Sequence, residues 1–318
     1  MTRSSKRWAL VPGVAVFALV LTACGGQSEA TDSAAEGVSG SVTVDGSSTV
    51  FPLSDAAAEL LNEENTAIKV TVGEAGTGGG FELFCQGKTD VSDASRPIKD
   101  DEEAPICADA GIEYTELQVA TDALTVVVHP DVDVDCVTTE QLAAIWGADS
   151  TITNWNQVDP SFPDQDLTLY GPGTDSGTFD YFTDEINGEE GVSTSNYEAS
   201  EDDNVIAAGV AGTKGAMGYF GYTYYEENAD TLKALAVDSG AGCVLPSAET
   251  AGDGTYTPLA RPLFIYVSNQ SYADNAAVKA YVDFYVANLA EVAEVSKYIP
   301  LNDEQYADTQ ATLAGLSG

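Results

Sequence analysis

Apolar residues along this chain fall into short runs that alternate between two periods. Val42 and Val44 alternate with Ser41 and Thr43, as in a half-buried strand. Phe51, Leu53, Ala57, Leu60 and Leu61 then follow at helical spacing, and Pro52 suits a first-turn position. The same alternation predicts a strand over 68–72, a short helix over 81–86, a strand over 89–94, an acidic helix over 100–110, and two strands over 114–119 and 123–128. Further along it predicts helices over 138–146, 176–187 and 202–211 and strands over 167–170 and 216–220. A long apolar strand is predicted over 257–267. Over 273–289, a strongly periodic helix carries Val278, Tyr281, Val282, Tyr285 and Val286. Strands that alternate with helices imply an α/β architecture with helices on both faces of the sheet. No internal repeat is evident.

The N-terminus breaks this pattern. Arg3, Lys6 and Arg7 precede an apolar run from Trp8 to Leu21, which is too short to span a bilayer comfortably. The run ends in Leu21-Thr22-Ala23-Cys24-Gly25-Gly26, which is similar to a bacterial lipobox. Residues 1–23 are therefore expected to be a signal peptide, with Cys24 lipidated after cleavage. A membrane anchor with an incidental Cys is the alternative, and the short run disfavours it. Residues 24–38 are small and polar and read as a flexible tether, with order beginning near Gly40.

Composition narrows the partners. A chain of 318 residues suggests one or two domains, and 44% hydrophobic residues suffice for a sizeable core. Removing residues 1–23 takes away three basic residues and no acid, leaving 9 basic against 51 acidic, a net −42. Such a balance argues against a nucleic-acid partner and suggests a heavily solvated surface suited to high salt. With Cys24 set aside, Cys85, Cys107, Cys136 and Cys243 allow three pairings. Export favours disulfides over buried free thiols. A short local loop favours Cys85–Cys107, which leaves Cys136–Cys243. A zinc site is disfavoured, because there is no Cys-x-x-Cys and His129 is the only histidine.

Three turns share one design: a strand, a Gly/Ser/Thr turn, then a helix. They are Gly46-Ser47-Ser48-Thr49, Gly76-Thr77-Gly78-Gly79-Gly80 and Gly173-Thr174-Asp175-Ser176-Gly177-Thr178. In open α/β sheets ligands sit at the carboxyl ends of strands. Glycines there leave backbone N–H groups free, and the first turn of a helix favours negative charge. A fourth element is Arg96, at a strand exit before Pro97. Beyond the signal region the only arginines are Arg96 and Arg261. A guanidinium fork can bind two oxygens of a tetrahedral oxyanion. The competing reading pairs Arg96 with a nearby acid such as Asp93 or Asp100. Arg261, before Pro262 in an apolar strand, reads as structural. Catalysis has little support. Ser176 has only His129 as an imidazole base, and His129 reads as a strand-end residue. Asp131-x-Asp133-x-Asp135 lacks the glycine and the twelfth-position acid of a calcium loop, so no metal or cofactor is expected.

Gly46-Ser-Ser-Thr-Val-Phe-Pro, Asp90-Val-Ser-Asp-Ala-Ser-Arg-Pro-Ile and Gly171-Pro-Gly-Thr-Asp-Ser-Gly-Thr-Phe-Asp-Tyr-Phe, in that order, resemble the PstS family of phosphate-binding lipoproteins, in its Ala-Ser-Arg-Pro branch. The likeness covers the chain from about Gly40. It implies a type II periplasmic-binding-protein fold with two α/β lobes (39–123 with 265–318, and 124–264), two crossover strands and a ligand cleft. It implies phosphate contacts from Ser48 and Thr49, from the amides of Gly78 and Gly79, from Ser95 and Arg96, and from Ser176, Gly177 and Thr178. Better-known members carry an Arg at the position of Pro172 and an Asp at that of Ser95. The guanidinium is therefore expected from across the cleft, from Arg96. Asp93, Asp175 and Asp45 are the nearest candidates to accept a ligand proton. The implied function is a monomeric, lipid-anchored receptor, not an enzyme, that delivers inorganic phosphate to an ABC transporter permease. Alternatives are a receptor for sulfate or molybdate, a secreted phosphatase or Ser hydrolase using Ser176, and an adhesion or signalling lipoprotein.

Overall fold

The computed structural model describes residues 37–174 and 176–316. The expected signal peptide, Cys24, residues 24–36 of the tether and Asp175 lie outside the described residues.

Three parallel strands open the fold: β1 (Gly40–Gly46), β2 (Ile68–Val72) and β3 (Val91–Ala94). Parallel pairing needs a crossover, and helices Phe51–Glu64 and Thr77–Cys85 supply it. β4 (Tyr114–Val128) is one 15-residue strand, not the two expected. Thr121 and Asp122 break the apolar pattern and imitate a turn. Both keep partners within the fold: the Thr121 amide donates to the Ile299 carbonyl at 2.9 Å, and Asp122 lies opposite Arg261.

The remaining strands are β5 (Cys136–Thr138), β6 (Thr168–Pro172), β7 (Glu198–Ser200), β8 (Ala216–Gly221), β9 (Lys233–Ala234), β10 (Ala236–Asp238), β11 (Cys243–Val244) and β12 (Ala260–Ser268). The main sheet runs β2-β1-β3-β12-β4-β8-β6-β7, with β9 also on β4, and β11-β10-β5 form a smaller sheet. β4 changes neighbours along its length. Its residues 114–123 pair with β12, and residues 124–128 pair with β8.

Two large cores follow from this change. Leu53, Val91, Leu117, Ile265, Tyr281 and Tyr285 pack helices Phe51–Glu64 and Ala276–Ala287 onto the first half of the sheet. Trp146, Trp155, Phe182, Tyr219 and Leu259 fill the other half. There Phe182 and Tyr219 stack at 3.8 Å, and Trp146 meets both edge-on. Each such buried aromatic contributes about 2–3 kcal/mol.

The helix expected over 273–289 is interrupted. It becomes Asn269–Asp274, Ala276–Ala287 and Leu289–Val295, because Asn275 caps the second piece and its side chain accepts from the Ala277 amide. The expected acidic helix begins only at Ala104. A last helix, Asp303–Leu316, escapes the pattern altogether, since only its Thr309 is buried. The disulfides Cys85–Cys107 and Cys136–Cys243 both form. Among the described residues no helix is long and apolar enough to cross a membrane.

Candidate functional site

The three expected turns leave the carboxyl ends of β1, β2 and β6. The first two are interlocked with the end of β3. The Ser47 amide donates to the Asp93 carbonyl at 3.0 Å, and the Gly76 amide donates to the Gly46 carbonyl at 2.8 Å. The Ser95 and Thr77 hydroxyls meet at 3.0 Å. Gly46 is required here: its φ is +148°, and a Cβ would stand 2.2 Å from the Asp93 carbonyl oxygen. The second helix starts at Thr77, earlier than the pattern suggested. The amides of Gly78 and Gly79 therefore fall in its first turn, ahead of the intrahelical ladder, where they favour an anion.

At the third turn Ser176 caps helix Gly177–Phe182, its Oγ accepting from the Thr178 amide at 3.2 Å. Ser47 does the same for the Thr49 amide at 3.2 Å. These amides are satisfied within their own turns. The Ser176 hydroxyl proton remains a donor.

Two adjoining cavities collect the nine candidate residues. The larger, about 440 Å³, is walled by Gly78, Gly79, Ser95 and Arg96. The smaller, about 370 Å³, is walled by Ser176 and Thr178. Ser48, Thr49 and Gly177 belong to both walls. Arg96 and Ser176 therefore do not face the same cavity, as a single site between them would require.

The charges differ from expectation. Arg96 pairs with neither Asp93 nor Asp100. Its Nη1 and Nη2 each donate to a Glu103 carboxylate oxygen at 2.8 Å. Burial pushes the Glu103 carboxyl up, but hydrogen bonds from Arg96 and the Lys99 amide outweigh it and hold the group below its ordinary value. Glu103 was not legible, because it stands in an acid-rich stretch beside Asp100, Asp101 and Glu102. Arg261, expected to be structural, lines the larger cavity, with its guanidinium 3.6 Å from the Tyr181 ring centre. Acids line the cavities too: Asp180, Asp184, Glu185 and Glu190 the larger, and Asp122 and Asp203 the smaller.

Two proposed proton acceptors are committed elsewhere. Asp93 is fully buried against Ser54, and an Asp45 oxygen accepts from the Ala75 amide at 2.8 Å. Neither lines a cavity. Asp175, the third, lies outside the described residues. His129 lines neither cavity, and its Nδ1 accepts from the Asp131 amide at 3.1 Å. Asp131 and Asp135 pair with Lys214 and Lys233. No cluster of three or more His, Cys, Asp or Glu able to hold a metal occurs among the described residues.

Residues 31–288 match the model of a PBP superfamily domain. Over 281 residues, 87% of this chain and 82% of the relative, the sequence is 49% identical to Protein SphX of Synechococcus elongatus. It is 37% identical over 316 residues to the phosphate-binding protein PstS of Staphylococcus saprophyticus, covering 98% of this chain and 96% of the relative. The chain belongs to the PstS family. Its fold superposes on the crystal structure of a possible phosphate binding protein from Planctomyces limnophilus with a TM-score of 0.83 and 42% identity, over 88% of this chain and all of the other. PstS from Borrelia burgdorferi, at 22% identity, shares the fold alone, with a TM-score of 0.63. The two-lobe periplasmic-binding architecture expected from the sequence is thus present. As a PstS-family solute-binding fold it places its cavities at strand ends, where the family's motifs lie.

Proposed function

We propose that this protein captures inorganic phosphate outside the cytoplasm and delivers it to the permease of an ABC transporter. The observation that carries this reading is the convergence of three Gly/Ser/Thr turns and two arginines on adjoining cavities in a chain otherwise so acidic. Local dipoles and hydroxyls, not bulk charge, make such a site attractive to an anion. The named PstS relatives support phosphate as that anion.

In this reading the two cavities merge as lobes 39–123 with 265–318 and 124–264 close, so that Ser48, Thr49, Gly78, Gly79, Ser95, Arg96, Ser176, Gly177 and Thr178 come to hold one phosphate. Closure of the lobes excludes water and strengthens each hydrogen bond. The protein works as a monomer, tethered by lipid on Cys24, and performs no covalent chemistry.

A second anion is favoured by one observation: Ser95 brings no carboxylate to repel sulfate. The acids lining the cavities supply that repulsion instead, since a carboxylate can accept the proton of hydrogen phosphate and sulfate has none to give. Calorimetry on ligand-stripped protein at pH 7 tests the proposal. Tight phosphate binding that sulfate and molybdate fail to displace supports it. Preference for either competitor, or turnover of a phosphate ester that is lost in Ser176→Ala, overturns it.

A further inference from the structure

Arg261 stands where both lobes meet. It lies directly opposite Asp122 across the β12–β4 ladder, with Nε 3.3 Å from an Asp122 carboxylate oxygen. Its Nη2 donates to the Thr49 hydroxyl oxygen at 3.1 Å. Its flat face covers Tyr181, whose own hydroxyl donates to the Pro258 carbonyl at 2.6 Å. One side chain thus touches the loop after β1, the helix after β6 and the partner crossover strand.

The bond to Thr49 has a directional consequence. A threonine hydroxyl has one proton and two lone pairs, and a guanidinium can only donate. With a lone pair of Oγ1 committed to Arg261, the Thr49 proton must point to a different atom. No acceptor takes it among the described residues. The Thr49 backbone is fixed as well, since the Tyr298 hydroxyl donates to its carbonyl at 2.7 Å. Thr49 also walls both cavities.

We propose that Arg261 is a positioning residue for phosphate: it accepts no proton, so it turns the Thr49 hydroxyl into a fixed donor aimed at the anion. Asp122 balances the guanidinium charge within the ladder. Arg261 thereby acts on the ligand through Thr49, and the effect depends on that hydroxyl. This rests on the reading of Thr49 as a phosphate contact.

A double-mutant cycle in phosphate calorimetry tests it, with Arg261→Met, Thr49→Val and the pair. Arg261→Met is expected to weaken phosphate binding about tenfold in the parent chain and less than threefold when Thr49 is already Val. Arg261→Lys, which restores a donor and a charge, is expected to recover part of the loss. Arg261→Met strands the Asp122 carboxylate, so the same cycle is also run on an Asp122→Asn background, where the Arg261→Met members leave no carboxylate unpaired. A full tenfold effect that persists without the Thr49 hydroxyl overturns the proposal, as does unchanged affinity in Arg261→Met. Unchanged affinity in Thr49→Val alone overturns both this proposal and the assignment of Thr49 to the site. Weakening in Thr49→Val without coupling overturns this proposal only.

Discussion

A Cβ added to Gly177 would stand 2.8 Å from the Thr49 hydroxyl oxygen, so the loop after β1 and the helix after β6 touch where only a glycine fits. Thr49 cannot simply turn aside, because Arg261 and Tyr298 hold its hydroxyl and its carbonyl. Gly177→Ala is therefore expected to push the two loops apart. Overpacking of this kind costs about 1–3 kcal/mol. The contact stands within the fold itself, so the loss should appear in the thermal midpoint as well as in phosphate affinity. A variant that binds as tightly as the parent would show that the loops do not need this contact.

Arg96 is clamped in a two-point ion pair with Glu103. The Arg96 side chain is 35% exposed, so solvent screens its charge, and Arg96→Ala should weaken phosphate binding by about 1–2 kcal/mol, below the cost of truncating a fully desolvated charge. Glu103→Gln keeps an acceptor for the guanidinium and should cost less than Arg96→Ala. Calorimetry that ranks the two in the opposite order would mean that Glu103, not Arg96, organises this wall.

Asp93 gives the fold a pH dependence of definite sign. Burial pushes its carboxyl up to about 8, against a Ser54 hydroxyl bond that pulls it down, and the nearby Asp45 charge adds a smaller push upward. The unfolded chain releases this proton near the ordinary value of 3.8. Between these values the folded state holds the extra proton, so Asp93 lowers stability as pH rises, by about 1.4 kcal/mol per pH unit. Asp93→Asn should flatten the fall in unfolding free energy between pH 5 and pH 8. The same slope in denaturant titrations of both proteins would place the titrating group elsewhere.

The two disulfides close loops of different length, with sequence separations of 22 for Cys85–Cys107 and 107 for Cys136–Cys243. Chain entropy alone assigns them about 3 and about 5 kcal/mol. Urea midpoints of the paired Ser variants should fall further for Cys136 and Cys243. A larger fall for the short loop would show that local packing around Phe84 and Cys107 outweighs loop closure.

The strand–helix alternation and the three turns were legible because each rests on local signals: period, glycine and a capping hydroxyl. The continuity of β4 was not, since Thr121 and Asp122 read as a break until Ile299 and Arg261, far along the chain, supply their partners. The role of Arg261 was hidden for the same reason. Its contacts to Thr49, Asp122 and Tyr181 span 212, 139 and 80 positions, and an arginine in an apolar strand carries no mark of them. Glu103 was masked by its acidic neighbours. Helix Asp303–Leu316 was missed because its fully buried residue is the polar Thr309, whose hydroxyl donates to the Gln118 carbonyl at 2.9 Å, while Tyr306, Leu313 and Leu316 pack only partly buried against the first core.

The bonds joining Gly46, Gly76, Ser47, Asp93, Thr77 and Ser95 make one wall of the cleft a single mechanical piece. A substitution in any of these loops displaces the other two, so that wall can be inherited only whole. The opposite wall, from Ser176 to Glu190, is tied to other elements instead: the Tyr181 hydroxyl donates to the Pro258 carbonyl at 2.6 Å, and the Asn187 side-chain amide donates to the Trp146 carbonyl at 3.3 Å. A descendant of this protein with a taste for a different anion would have had to change several bonded positions together on either wall.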